Sequence, residues 1–368
     1  MRVAAVSLRD FRSYGEARVA LGEGLTVITG PNGAGKTNLL EAIYFGCTGR
    51  SCRTTTEREV VRWTAPLARV VVDVLAEDGP HELAVAFVPG EPKRMRVDGA
   101  SVERLLDVEV RPLVSVFLPD RLELVKGPPA LRRAHLDQLV AALWPARVPT
   151  RRAYAQTLAQ RNALISQIRS GRGSRGLLST WDQQLAGHGV ALMADRSAAV
   201  EVIADGFTRI AGELGLEAAP SVTYRPRSRA ATAAELAAEL AERVDSDLQR
   251  GFTRHGPHRD DLLLAHESRE LRIYGSQGQQ RVALLSLLLA ERESLAALRD
   301  AAPLMLLDDV MSELDGDRRL ALTMLLREGG QAVITTTDVE HVPGAGDPGV
   351  TRIAVADAQP LQVAVPSA

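Results

Sequence analysis

Residues Gly30 to Thr37 read GPNGAGKT, and their spacing fits the pattern G-x-x-x-x-G-K-[ST]. Glycines at this density let backbone N–H groups converge on phosphate oxygens. A helix that starts here adds the positive end of its dipole. Gly30, Pro31, Asn32, Gly33, Ala34, Gly35, Lys36, Thr37 and Asn38 are therefore the candidate contacts for ATP. Lys36 is placed to reach the β- and γ-phosphates, and Thr37 to set its hydroxyl on Mg²⁺. Lysine occurs only at Lys36, Lys93 and Lys126, every other basic side chain apart from histidine being Arg. Codon bias accounts for most of that imbalance. A compact ammonium still suits a tight phosphate cradle better than a planar guanidinium does.

Two further stretches extend the chemistry. PLMLLDD, Pro303 to Asp309, is an apolar run ending in two carboxylates. Asp308 is expected to hold the Mg²⁺ shell, as a Walker-B Asp does, and Asp309 to polarise the attacking water. On its own the pair would read as strand-end carboxylates capping a turn; the phosphate loop in the same chain changes that reading. SQGQQR, Ser276 to Arg281, opens a helix with a hydroxyl and free N–H groups, a second anion-binding helix start. Alone it would read as an ordinary N-cap ahead of the core residues Leu284, Leu285, Leu287 and Leu288.

The elements that must position these residues follow from periodicity. RVAAVSL and LTVIT read as strands, the second feeding the glycine-rich loop, and Thr37 to Phe45 reads as a helix. ARVVVDVLA, HELAVAF and KRMRVDG read as strands joined by EDGP and PGEP turns, and RPLVSVFLP as a strand ending at Pro119. From about Pro128 to Gln249 apolar residues recur every three or four positions, in Ala- and Arg-rich helices separated at SGRGSRG. APSVTYRPRSR interrupts them with a strand. No heptad pattern is sustained there, which argues against a long coiled coil. The last third returns to α/β: a strand at PLMLLDD, a helix at DGDRRLALTMLLREGG, a strand at QAVITTTD and a loop at EHVPGAGDPGV.

GPNGAGKT, SQGQQR and LLDDVMSELD, in that order, resemble the ATP-binding cassette heads of SMC-type proteins. LPDRLELVKGPPALRRAHLD and GFTRHGPHRDDL narrow the resemblance to the RecF family of recombination mediators, over nearly the whole chain. Pro128 and His135 depart from that family's usual small and aromatic residues. The resemblance implies an ABC-type head of class α/β, with mixed sheets around the P-loop helix. Lobe I would comprise 1–118 and 300–368, and a mainly helical lobe II 119–299. It further implies that Ser276, Gln277 and Gly278 contact the γ-phosphate held by a second copy, that Asp315 is the D-loop residue at the dimer seam, and that Arg53 in GRSCRT contacts phosphate or DNA. Pro119 and Asp120 stand where a Q-loop Gln is expected. Asp309 stands where SMC heads carry Glu, and both differences imply slow hydrolysis. The implied partners are single- and double-stranded DNA at gaps and junctions, RecO, RecR and RecA, and a second copy joined through ATP.

Bulk properties set limits. The 368 residues carry a net charge of −2, so DNA contact must come from local patches such as Arg147, Arg151, Arg152 and the RSGRGSRG run. There is no base-reading motif, which points to backbone-led binding. No apolar run approaches the roughly 20 residues of a membrane span, no signal peptide is evident, and Cys47 and Cys52 read as free thiols of the cytoplasm. His255, His258, Asp260 and Asp261 match no metal-ligand spacing and read as a hydrogen-bonded turn, with Arg259 a candidate DNA contact. The rival readings are a transporter nucleotide-binding subunit and an SMC-like structural head. The long separation of Lys36 from Ser276 argues against the first, and the absence of heptads against the second.

Overall fold

The computed structural model describes residues 1–363. The chain divides into two compact units, Met1–Arg121 with Leu295–Ala368, and Leu122–Ser294. In chain order the first unit opens with β1 (Arg2–Phe11), β2 (Tyr14–Ala20), β3 (Leu25–Thr29), α1 (Lys36–Thr48), β4 (Ala68–Ala76), β5 (Gly79–Phe87), β6 (Arg94–Val97), β7 (Ala100–Val102) and β8 (Val114–Phe117). The second unit holds α2 (Glu123–Lys126), α3 (Pro129–Leu143), α4 (Val148–Arg169), α5 (Leu178–Glu213), β9 (Ser221–Arg225), α6 (Ala233–Glu242), α7 (Val244–Arg250), β10 (Asp261–His266), β11 (Arg269–Glu270) and α8 (Leu271–Tyr274). Helix α9 (Gln277–Arg299) leads the chain back to the first unit, which ends with β12 (Leu304–Leu307), α10 (Gly316–Glu328), β13 (Ala332–Thr336), β14 (Thr351–Ala356) and β15 (Gln359–Val363).

The first unit is built on two sheets. One is antiparallel, in the order β2-β1-β4-β5-β6-β7. The other runs β15-β14-β3-β13-β12-β8 and is parallel from β14 to β8, with only β15 antiparallel. Strands β12 and β13 are buried along their whole length, which is why LMLL and AVITT read as continuous runs rather than alternating ones. Helix α1 packs against both sheets. Gly46 makes that approach possible, since a Cβ there would lie 2.3 Å from Val72 Cγ2. Gln331 ties β13 to the antiparallel sheet. Its Oε1 accepts from Val3 N–H at 2.9 Å, and its Nε2 donates to the carbonyls of Val3 and Gly22, each at 2.7 Å.

In the second unit α4 and α5 pack along one another and α6 packs on α5. Helix α5 spans 36 residues, about 54 Å at 1.5 Å per residue. Leu185, Leu192, Leu236 and Leu240 form an apolar cluster with Tyr154. Beside it Arg161 is fully buried and meets Asp182 at 2.6 Å and Asp247 at 2.7 Å. A small antiparallel sheet, β11-β10-β9, completes the unit.

Several elements differ from expectation. The P-loop helix starts one residue earlier and ends three later than the pattern suggested, because Thr48 bonds back to Tyr44 O and Gly49 then closes the end at φ 69°. Strand β8 stops at Phe117, and Pro119 opens a 3-10 turn instead of ending the strand. The β1–β2, β6–β7 and β14–β15 hairpins had no clear alternation to announce them. Cys47 and Cys52 are free, and burial pushes both thiols up to about 12. Among the described residues no helix is long and apolar enough to cross a membrane.

Candidate nucleotide-binding site

Strand β3 delivers the chain into the loop, and α1 starts at Lys36. Gly30 sits at φ 154°, and a Cβ there would fall 2.2 Å from Val355 O, so only glycine fits against β14. The turn between β1 and β2 supports the loop from another side. Tyr14 OH donates to Gly35 O at 3.0 Å, and Asn38 Nδ2 donates to Ser13 Oγ at 2.9 Å. Burial raises the Tyr14 phenol well above its ordinary range, which keeps it a donor. Pro31, Asn32 and Gly33 are exposed at the loop tip, while Ala34 is buried and its carbonyl accepts from Ala358 N–H at 2.9 Å.

Lys36 Nζ donates to Gly30 O at 2.7 Å and to Pro31 O at 3.0 Å, so the ammonium curls over its own loop. Burial pulls its pKa below the usual lysine range, and the charges of Asp309 and Asp308 oppose that shift. Thr37 Oγ1 lies 2.9 Å from both carboxylate oxygens of Asp308. The P-loop hydroxyl and the first Walker-B carboxylate, 271 residues apart in sequence, are thus in contact. They form a set of hard oxygen donors, the kind that suits Mg²⁺.

Thr335, fully buried on β13, organises the carboxylate pair. Its Oγ1 donates to Asp308 Oδ1 at 2.6 Å and accepts from Asp309 N–H at 3.0 Å. Asp309 adopts a left-handed conformation at φ 47°, which turns its side chain away from the strand direction. Its Oδ1 is buried and has no hydrogen-bond partner among the described residues. A buried acceptor left in this way is costly, and such groups recur where a ligand or reacting water supplies the missing donor.

Arg53 also reaches this helix. Its Nη1 donates to Asn38 Oδ1 at 2.9 Å and to Glu41 Oε2 at 3.2 Å. Glu41 is a fully buried carboxylate on α1 that also takes a two-pronged contact from Arg12, at 2.8 and 2.9 Å, and a hydroxyl from Ser51 at 2.5 Å. Sequence reasoning missed Arg12, Ser13, Tyr14, Glu41 and Thr335. Only a map of which strands adjoin would have found them.

The remaining candidates are placed as follows. Asp315 is the N-cap of α10 and accepts from Arg318 N–H at 3.0 Å. In the second unit Ser276 and Gln279 cap each other. Ser276 Oγ accepts from Gln279 N–H at 3.2 Å, and Ser276 N–H donates to Gln279 Oε1 at 2.9 Å. Ser276, Gln277 and Gly278 all stand exposed at the surface. Pro119 and Asp120 lie in the turn Pro119–Leu122, and the Asp120 side chain is outside the described residues.

The GPHRDD stretch is a hydrogen-bonded scaffold. His258 Nδ1 faces Tyr154 OH at 2.8 Å and its Nε2 faces Thr253 O at 3.0 Å. Asp260 binds Tyr224 OH, Arg227 N–H and Arg196, Asp261 binds Arg132, and His255 binds Glu239. His135, one of the two departures from the family pattern, contacts Glu291 at 2.6 Å. Arg147 and Arg151 are held by Asp195 and Asp137, at 3.1 and 2.9 Å, while Arg152 is exposed.

A family model described as an AAA domain matches residues 5–69, from β1 through the P-loop helix into β4. The chain is 38% identical to the DNA replication and repair protein RecF of Myxococcus xanthus, across 94% of this chain and 93% of that one. It is 36% identical to the RecF of Streptomyces avermitilis, across 94% and 95%. A solved structure of the recombination mediator protein RecF with ATP, in the RecFOR pathway, superposes with a TM-score of 0.85. It is 28% identical and covers 98% of this chain and 97% of its own. An Smc head bound to the C-winged helix domain of ScpA gives 0.60 at 16% identity, covering 99% and 98%, a likeness of fold. The fold is that of an ABC-type ATPase head, α/β with mixed sheets.

Proposed function

Since the chain belongs to the RecF family of DNA replication and repair proteins, we propose that it is an ATP-gated DNA clamp. Two copies close face to face on ATP and hold gapped DNA or a junction of single and double strands. Slow, DNA-stimulated hydrolysis then opens them. With RecO and RecR in the cytoplasm, the closed form helps load RecA onto single strands coated by single-strand-binding protein. The contact of Thr37 Oγ1 with Asp308 carries the nucleotide part of this reading, because it joins the P-loop to the Walker-B strand in one oxygen-rich site.

Each residue has a task in this mechanism. Lys36 leaves the Gly30 and Pro31 carbonyls and turns to the β- and γ-phosphates. The backbone N–H groups of the loop and the first turn of α1 hold the phosphate oxygens. Thr37 and Asp308 would hold Mg²⁺, which would supply neutralisation of the phosphate charge. Asp309 orients and deprotonates water through its buried Oδ1, which has no partner among the described residues. Ser276, Gln277 and Gly278 present the start of α9 to the nucleotide of the second copy, with Asp315 at the same seam. Arg53 adds a cation from the P-loop helix side.

Size and turnover test the reading. The parent should shift from monomer to dimer with ATP and Mg²⁺, bind DNA more tightly in that state, and turn ATP over slowly. Lys36→Met should stay folded but neither dimerise nor hydrolyse. A Lys36→Met chain that dimerises on ATP like the parent contradicts the assignment.

A further inference from the structure

The loop after α7 gathers cations that form no ion pair among the described residues. Arg250 ends the helix, Gly251 turns the chain at φ 88°, and Arg254 and Arg259 follow, all three arginines exposed. The Arg169 guanidinium, from the end of α4, lies against Gly251, so close that a Cβ there would fall 2.2 Å from Nη1. Arg133, from α3, donates to Asp260 O at 2.8 Å and so stands at the loop's other end. Among the described residues, no ion pair joins any of these five arginines to a carboxylate. The acids nearest in sequence are already committed: Asp247 to Arg161 and Arg254 N–H, Asp260 to Tyr224, Arg227 N–H and Arg196, and Asp261 to Arg132.

At the middle of the loop Phe252 is 41% exposed, in a chain where only 4% of residues are aromatic. Arg259 lies over its ring at 5.4 Å from the centroid. Mutually repelling cations gathered on a rigid turn cost stability unless they serve an anion. The turn is rigid because Thr253 bonds Asn162 and Arg161, and His258 bonds Tyr154. A row of guanidiniums suits a phosphate backbone, and an exposed ring with a cation beside it suits the face of an unpaired base. A duplex hides that face.

We infer that Phe252 with Arg169, Arg250, Arg254 and Arg259 forms a contact site for single-stranded DNA, the arginines on phosphates and the ring under a base. The inference rests on the DNA-binding reading above and adds the strand type and the residues. It lies entirely within the second unit and uses no nucleotide-site residue.

Anisotropy with a labelled single-stranded thymidine oligomer, and with a duplex of equal length, tests it on the full chain with ATP and Mg²⁺. Each phosphate contact on a single strand contributes about 0.7 to the log–log salt slope. Arg254→Ala with Arg259→Ala should therefore flatten the slope by about 1.4, twice that contribution. Phe252→Leu, which keeps bulk but loses the ring, should weaken oligomer binding about tenfold. The same change should leave duplex binding, and ATP turnover measured without DNA, at the parent level, and Phe252→Trp should retain the oligomer. If the parent binds DNA but these variants match it, or if Phe252→Leu weakens duplex and oligomer equally, the site is wrong and the DNA-clamp reading stands. If the parent binds neither DNA in any nucleotide state, both fall together.

Discussion

Thr335 shows how much one hydroxyl can decide. It donates to Asp308 beside Thr37 and is the acceptor that fixes the backbone of Asp309. Thr335→Val keeps the shape and removes both bonds, leaving a buried N–H without a partner. The expected destabilisation is about 1–3 kcal/mol. ATP turnover should fall more than nucleotide affinity, because the water-directing residue loses its anchor, and Thr335→Ser should restore turnover. Parallel melting and steady-state kinetics on both variants check this; equal loss in Ser and Val variants would count against it. His258 provides a pH signature. Burial pulls it from 6.5 to about 4, with Arg259 and Arg133 adding to the shift and the bond to Thr253 O opposing it. Above about pH 6.5 its contribution to stability is fully present. As pH falls through 6.5 toward 4, the unfolded chain takes a proton that the folded chain refuses, so stability declines and the decline ends near 4. The whole effect is at most about 3 kcal/mol. Urea midpoints should drop between about pH 7 and about pH 5 for the parent and drop less for His258→Asn. An identical pH slope in that variant removes His258 as the cause.

At the scale of elements, the P-loop helix is held by a network that sequence order conceals. Glu41 faces inward from α1 and receives Arg12 from the β1–β2 turn, Ser51, and Arg53 from the following loop. Glu41→Ala leaves Arg12, whose side chain is only 17% exposed, without its two-pronged partner and with only the Glu59 carboxylate 4.0 Å away. A loss of about 3–5 kcal/mol is expected, as for a buried pair broken from one side. Melting temperature should show it, and a variant as stable as the parent would mean the network carries no net energy. The motifs themselves were legible because each is contiguous and chemically constrained: GPNGAGKT spells a loop, and LMLLDD a buried strand with carboxylates at its end. Their supports were not legible. Thr335 acts on Asp308 only because β13 lies parallel to β12 with Ile334 opposite Leu307, and that adjacency is set by topology. Tyr14 and Arg12 belong to a hairpin whose second strand, YGEARVA, alternates too weakly to be read. Arg147 and Arg151 show the converse, since the sequence displayed their charge but not the aspartates that pair with it.

For the whole molecule the decisive question is whether two copies share each nucleotide. Among the described residues the Ser276 side chain serves only to cap its own helix at the surface, so a bulky side chain there disturbs little within one chain. Ser276→Arg should therefore bind ATP as a monomer about as well as the parent, because Lys36, Thr37 and Asp308 are unchanged. It should fail to dimerise, since a large cation then occupies the seam. Asp309→Asn should behave in the reverse way. It keeps the shape and the backbone bond to Thr335 but loses the carboxylate that activates water, so turnover should drop about 100-fold, the scale of lost general-base assistance. ATP would still close the pair, and a long-lived dimer should accumulate with slower release of DNA. Sizing, nucleotide binding and turnover on both variants separate the two roles. Normal dimerisation by Ser276→Arg would place the signature helix away from the shared site, and parent-level turnover by Asp309→Asn would move the general base to another residue. The two variants mixed together give the sharpest reading, because in a face-to-face pair each copy lends its signature to the other's ATP. In the heterodimer the copy that keeps Asp309 receives an intact Ser276 from its partner, so one nucleotide site is complete and the other lacks both groups. Mixing should therefore raise turnover above that of either variant alone if the sites are shared, and give only the average of the two separate preparations if they are not.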